Sequence, residues 1–228
     1  MALFLLIETA TDICSIGISD GTQLLALRES DAFHEHAARI TGMIVACAEE
    51  AGVPLSALDA VAVSTGPGSY TGLRIGVSTA KGICYALQKP LIAVDTLQAL
   101  ALATAHIEKR PALYCPMIDA RRMEVYAAIF DADNRLIQPA AALRVEENTF
   151  ADYFAQEQAI VFSGSGAEKC KTVLHSPLVH FSPVLCSAAH LMPLATAAFA
   201  TETFADVAYF EPFYLKPPNI TTPKKGLW

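Results

Sequence analysis

A chain of 228 residues that is 53% hydrophobic and only 17% charged can fill one large core or two small ones. Its formal net charge of -7 argues against a free-standing nucleic-acid binder, which ordinarily carries a basic surface. No stretch approaches the ~18 apolar residues of a membrane-spanning helix, so the apolar surplus points to buried subunit surface.

The opening Met1-Ala-Leu-Phe-Leu-Leu-Ile7 has no basic leader and stops at Glu8. It suits a central strand better than a signal peptide. Cysteines 14, 47, 84, 115, 170 and 186 are scattered without a Cys-x-x-Cys pair. They read as reduced thiols of a cytoplasmic protein, not as disulfides or zinc ligands.

In chain order, Leu3 to Glu8, Ile13 to Ser19 and Gln23 to Arg28 read as three strands of an antiparallel meander, with Asp20-Gly21 as a hairpin signal. A helix follows from about His36 to Ala51. Ile40, Ile44 and Cys47 form its apolar row, Met43 widens it, and Gly52 with Pro54 ends it. Ala60 to Thr65 is a buried strand, and Gly66-Pro-Gly-Ser69 then breaks it. From Tyr70 to about Leu87 the period is helical, with Leu73, Val77, Ala80, Cys84 and Leu87 on one row. A second row of Gly72, Gly76 and Ala80 repeats every four residues, and its glycines cost roughly 1 kcal/mol each against alanine. Such a row marks the close approach of another backbone, from the same chain or from a partner.

Pro90 to Val94 is the next strand, and Asp95 or Thr96 caps a helix to about His106. Ala112 to Asp119, Glu124 to Phe130 and Arg135 to Ile137 read as strands, and Thr149 to Gln156 as a helix. Ala159 to Phe162 is a strand, Gly164-Ser-Gly166 opens a helix, and Leu178 to Phe181 is a strand. Ser187 caps an alanine-rich helix to about Phe204 that Pro193 should kink or break. The class is α/β, with two mixed sheets covered by helices rather than strict βαβ alternation. Residues 1–100, with a closing segment 204–228, form the expected first lobe, and 101–203 a smaller second one.

This element order, Gly-Pro-Gly-Ser-Tyr-Thr-Gly-Leu-Arg-Ile-Gly at 66–76, Asp119-Ala-Arg121 and the tail Pro212-Phe-Tyr-Leu-Lys216 resemble the TsaB (YeaZ) family. The resemblance implies an actin-like ATPase (ribonuclease H-like) fold with a reduced second lobe. It implies a cytoplasmic, non-catalytic scaffold subunit in the formation of N6-threonylcarbamoyladenosine in tRNA. Such a subunit pairs with a catalytic TsaD-type paralogue and a TsaE-type ATPase and reaches tRNA only through the complex. The older label for such chains is glycoprotease-like, or peptidase family M22.

In the catalytic paralogue a Gly-Pro-Gly loop and helix precede two metal-holding histidines. The matching stretch here is Asp95-Thr-Leu-Gln-Ala-Leu100, with Thr96 and Leu100 in the ligand positions. Leucine cannot coordinate a cation, so no metal is expected there. His34 and His36, two apart at a helix start, read as surface or capping residues. Actin-like ATPases cradle phosphate in the first hairpin. Here that hairpin carries Glu8, Thr9 and Thr11, with Ala10 where a glycine would admit a phosphate. Gly164 and Gly166 at a strand-to-helix junction are the second element of this vestigial nucleotide site. Glu8 could equally end its strand and bond Thr11, and Asp119 with Arg121 reads as an ion pair or turn. No cofactor is expected. Two other classes stay open: an independent ATPase or phosphotransferase using Glu8 and the 164–166 loop, and an M22-type metalloprotease.

The partner surface is expected on the helices at 36–51 and 70–87, from Ile40, Met43, Ile44, Cys47, Tyr70, Gly72, Leu73, Gly76, Thr79, Ala80 and Ile83. Leu73, Val77, Ala80 and Cys84 would face the sheet, leaving Gly72, Gly76, Thr79 and Ile83 outside. Two such helices per chain would build a four-helix interface, shared by a homodimer of the isolated chain and a heterodimer with the paralogue.

Overall fold

The computed structural model describes residues 2–30 and 36–217. Three apolar strands open it: β1 (Phe4–Glu8), β2 (Cys14–Ser19) and β3 (Leu24–Ser30). β1 and β2 are buried along their whole length, so their sequences are continuous apolar runs rather than alternations. β2 pairs antiparallel with both β1 and β3. Helix α1 (His36–Ala51) ends in a turn where Gly52 adopts φ 65° and Val53 N bonds Ala48 O. Strand β4 (Ala60–Ser64), helix α2 (Tyr70–Leu87) and strand β5 (Leu91–Val94) follow, with β4 parallel to β1 and to β5. The first sheet is thus ordered β3-β2-β1-β4-β5.

After helix α3 (Thr96–Glu108) the plan repeats. β6 (Leu113–Asp119), β7 (Glu124–Phe130) and β8 (Leu136–Arg144) form a second antiparallel meander. α4 (Ala151–Ala155), β9 (Ile160–Ser163), α5 (Ala167–Cys170) and β10 (Val179–Phe181) complete it, with β9 parallel to β6 and β10. The second sheet, β8-β7-β6-β9-β10, has the order and the directions of the first. This duplicated mixed sheet is the two-lobed actin-like architecture. The second half is reduced in its helices, since α4 and α5 span five and four residues where α1 and α2 span 16 and 18.

Each sheet is covered on both faces. α1 and α2 pack on one face of the first sheet through Ile40, Ile44, Cys47, Val77, Ala80 and Cys84. The other face, with Phe4, Leu6 and Ile92, is covered by Ala188, Leu191 and Ala195, and Ala195 belongs to helix α6 (Met192–Ala200). α3 lies between the halves: Ala99 joins that layer, while Leu97 and Leu100 pack with Tyr114 and Ile118 of the second sheet.

Several boundaries differ from the sequence reading. Residues 188–200 pack on the first sheet, not within a second lobe of 101–203. The helix from Ser187 is a 3-10 turn (Ala188–Leu191) followed by α6. Pro193 sits in the first turn of α6, where its missing N–H costs nothing, so it starts the helix instead of kinking it. α6 ends at Ala200, short of Phe204, and α4 is shorter than 149–156. β8 runs nine residues instead of three, and Pro139 is accommodated because β8 is an edge strand. His34 and residues 218–228 of the expected closing segment lie outside the described residues.

Candidate functional site: a closed hairpin cleft and a helical face

The tip of the β1–β2 hairpin is the most constrained place in the first half. Glu8 ends β1 with 1% of its surface exposed, and its Oε1 accepts from Ala10 N at 2.6 Å and from Ser64 Oγ at 2.9 Å. Burial pushes its carboxyl up to about 7, and the bonds from Ala10 and Ser64 pull the other way. The carboxylate is close enough to Cys14 and Cys186 to raise both thiols further. Glu8 therefore bonds Ala10 and Ser64, and Thr11 turns elsewhere. Thr11 O accepts from His36 Nε2 at 3.1 Å, and its hydroxyl accepts from Ile13 N. His36 is buried in that contact, neither a surface residue nor a ligand.

Beyond Glu8 the hairpin fits into the loop and first turns of α2. Ala10 O accepts from Ser69 N at 2.7 Å, and a Cβ on Gly68 would overlap Ala10. Gly72 and Gly76 lie against Thr9 so closely that a Cβ on either would collide with its carbonyl or its hydroxyl. The row of small residues on α2 thus receives this chain's own hairpin. The expectation that Gly72 and Gly76 face outward is corrected, and the physical reason is the width of the buried arc: α2 meets the sheet on one side and the hairpin on the other.

The second element of the nucleotide reading is likewise committed. Gly164 N donates to Val184 O, Gly166 N to Met117 O and Ala167 N to Gly164 O, so these amides point at carbonyls. α5, with four residues, provides little helix dipole. Gly164 packs against Met117 and Leu100 in the second half, whereas Glu8 packs in the first. With Ala10 filling the hairpin and the amides of Gly164, Gly166 and Ala167 bonded to carbonyls, these two places do not fit a phosphate chain.

Thr96 and Leu100, which the resemblance matched to two metal-holding histidines, are engaged in core contacts. Thr96 is 1% exposed; its Oγ1 accepts from Gly66 N at 2.9 Å while its N donates to Gly66 O at 3.1 Å. Leu100 is 1% exposed in the second core. No group of three or more His, Cys, Asp or Glu side chains suited to a metal occurs among the described residues. A hydroxyl engaged by an amide and a buried leucine do not fit a metal ion.

On the helices, Ile40, Ile44, Cys47, Leu73 and Ala80 are all at most 2% exposed within this chain and cannot contact a partner. Tyr70 lies against the chain's own tail, its ring 4.6 Å from that of Tyr214. Met43, Thr79 and Ile83 are half-buried at the margin. The outer side is instead Gly42, Val45, Ser78, Gly82 and Tyr85, with Val45 50% and Tyr85 83% exposed. A Cβ on Gly42 or Gly82 would meet nothing within 4 Å, so no contact among the described residues requires glycine there. Sequence reasoning passed over both; a glycine inside a helix and off its core row was the available signal. An apolar hollow of about 230 Å³ adjoins this side, lined by Val45, Ala48, Gly52, Val53, Pro54 and Leu55 among others.

The tail reaches across both halves. Ala205 N bonds Leu91 O, Phe213 N bonds Thr65 O, and Lys81 Nζ holds Ala208 O and Phe210 O. Gly66, at φ 109°, leaves room only for the Phe213 carbonyl. Lys216 then pairs with Glu124 of β7 at 2.6 Å. Asp119 does not pair with the Arg121 side chain; it accepts from Arg121 N at 2.7 Å and pairs with Lys169.

Comparison with known proteins agrees with this geometry. The family described as "TsaD: tRNA N6-adenosine threonylcarbamoyltransferase" matches residues 30–223. The tRNA threonylcarbamoyladenosine biosynthesis protein TsaB of Escherichia coli is 31% identical over 219 residues, covering 93% of this chain and 94% of that protein. YeaZ from Pseudomonas aeruginosa superposes with a TM-score of 0.79 at 29% identity, over 94% of this chain and 100% of that one. A second Pseudomonas aeruginosa structure, described as similar to the peptidase YeaZ, gives 0.83 at 29% identity over 95% and 100%. A single family accounts for the whole-length match, the duplicated sheet and the 66–76 segment: the chain belongs to the TsaB (YeaZ) family.

Proposed function

We propose that this chain is a non-catalytic scaffold subunit in the formation of N6-threonylcarbamoyladenosine in tRNA, the pathway for which its Escherichia coli relative is named. One observation carries the reading: Thr96 and Leu100, in the positions of the paralogue's metal-holding histidines, are spent on Gly66 and on the second core. A family member built this way contributes by holding another subunit. The outer side of α1 and α2 supports that role, since it offers Gly42 and Gly82 for close helix approach with Val45 and Tyr85 exposed beside them. The partner is a TsaD-type paralogue, with a TsaE-type ATPase completing the cytoplasmic assembly, and the isolated chain uses the same side to self-associate.

The test is threonylcarbamoyl transfer to tRNA by purified components. Transfer should require the TsaD-type and TsaE-type proteins together with this chain. Turnover by this chain alone would overturn the scaffold role. Titration with ATP and magnesium addresses the ATPase alternative, and tight binding by the isolated chain would favour it.

A further inference from the structure

The loop between β6 and β7 is an unusual object on an acidic chain. Arg121 and Arg122 stand side by side in the left-handed region, at φ 70° and 52°, where arginine is uncommon. The conformation is held from below. Asp119 Oδ1 accepts from Arg121 N, Ser165 Oγ accepts from Asp119 N, and Lys169 Nζ donates to Asp119 Oδ1, Arg122 O and Glu124 O. The neighbouring charges are largely paired: Lys169 with Asp119, Lys216 with Glu124, Arg144 with Glu146. Both arginine side chains are exposed, and neither guanidinium makes an ion pair or hydrogen bond among the described residues. Arg122 adds to the charges that hold the Glu124 carboxyl down, behind Lys216, while neither guanidinium is tied to it by a direct bond.

The tail bound to β7 through Lys216 also carries aromatic rings. Lys216, on Glu124, stands two residues from Tyr214, whose ring lies 4.6 Å from that of Tyr70. Arg74 sits 5.4 Å over the Tyr70 ring and bonds its hydroxyl, with no ion pair among the described residues. Phe213, next in the tail, is 47% exposed. The loop offers exposed guanidiniums, and the tail that Lys216 ties to β7 offers the exposed Phe213 ring. These match the chemistry of an RNA strand, with phosphates on the arginines and a base on the free ring. An acidic protein would satisfy the arginines too, and the tRNA pathway for which the Escherichia coli relative is named is what favours RNA here.

We propose that Arg121 and Arg122, with the adjoining Lys216, Tyr214, Tyr70 and Arg74, form a contact surface for the phosphate backbone of tRNA. This rests on the t6A reading and goes past it, giving the scaffold its own RNA contact. The net charge of -7 keeps that contact weak outside the assembly, and salt screens it strongly.

The test is binding of the full chain to an unmodified tRNA transcript at low salt, by filter retention, with poly-glutamate as competitor. Arg121→Asn/Arg122→Asn removes both charges while asparagine accepts the left-handed backbone. It should weaken binding about tenfold or more and reduce the slope of log affinity on log salt by about 2, while Arg121→Lys/Arg122→Lys restores much of both. Circular dichroism of each variant verifies the fold. Equal binding by wild type and the folded asparagine variant would overturn the proposal. So would no retention of tRNA by wild type, or displacement of tRNA by poly-glutamate at equal charge, which assigns the surface to an acidic protein. The t6A reading is scored separately, by t6A content of host tRNA after deletion of the gene. Persistence of t6A sinks that reading, whereas loss of t6A with unaltered asparagine-variant binding sinks only the RNA contact.

Discussion

The Thr9 hydroxyl occupies the space that a side chain on Gly76 would need, and that hydroxyl is buried with no hydrogen-bond partner among the described residues. Packing the hairpin against α2 has thus taken precedence over satisfying a polar group. Gly76→Ala should destabilise the chain by about 1–3 kcal/mol through overpacking against Thr9. Thr9→Ala removes the obstructing hydroxyl, so the double variant should recover part of that loss. Chemical denaturation of the four species measures the coupling, and strictly additive effects would disprove the contact.

The same pair shows where the sequence stops being informative. The strands, α1 and α2 were legible because apolar runs and helical periods state them directly, and Gly52 and Ser69 mark their ends. The phase of α2 was not. Leu73, Val77 and Ala80 form one plausible inner row and Gly72, Gly76 and Ala80 another, and both proved internal. Nothing local announces that Thr9, more than 60 residues away, will fill the second row. The bond from Ser64 to Glu8, 56 residues apart, is equally invisible in a linear reading. That leucine at 100 cannot hold a cation follows from residue chemistry, whereas matching Thr96 and Leu100 to the paralogue's histidines rested on the resemblance. Left-handed arginines at 121 and 122 carried no such signal, because arginine is not a turn-forming residue.

Glu8 gives a pH dependence with a defined sign. Its carboxyl titrates near 7 in the folded chain against 4.5 ordinarily, so between these values the folded state holds a proton that the unfolded state has released. Stability from this group is present below about pH 4.5 and is lost as pH rises towards 7, by on the order of 3 kcal/mol. Glu8→Gln keeps an acceptor for Ala10 N and Ser64 Oγ and should flatten the profile, with its largest gain over wild type at pH 8. Denaturant unfolding between pH 5 and 8 measures it. A wild-type curve that does not fall relative to Glu8→Gln in this window would show that the carboxyl is not perturbed.

All six thiols are buried and free. Burial raises Cys14 and Cys84 to about 11, Cys115 further still, and Cys186 well above the ordinary thiol range. Reactive thiolate is therefore scarce near neutral pH. A disulfide reagent at pH 8 should label the native chain slowly and all six cysteines promptly once it is unfolded. Rapid native labelling of any one would locate a part of the core that opens.

Gly82 separates association from folding, which Gly76 cannot do. It lies inside α2, exposed, with open space where a Cβ would go. In an isolated chain Gly82→Ala should therefore stabilise the helix by about 0.5–1 kcal/mol. A bulky charge such as Gly82→Glu should leave the monomer folded, since no internal neighbour obstructs it. If α2 and α1 meet a second helical pair across this side, the same substitution holds the helices apart and buries a carboxylate without a partner. Self-association and heterodimer formation should both fall at least tenfold while the thermal midpoint stays near that of wild type. Val45→Glu, on the neighbouring helix and 50% exposed, should act in the same direction. Light scattering and size-exclusion chromatography with the TsaD-type partner measure both assemblies. Full heterodimer with Gly82→Glu would move the partner surface to another part of the molecule, and loss of the fold would mean that α2 is not exposed there.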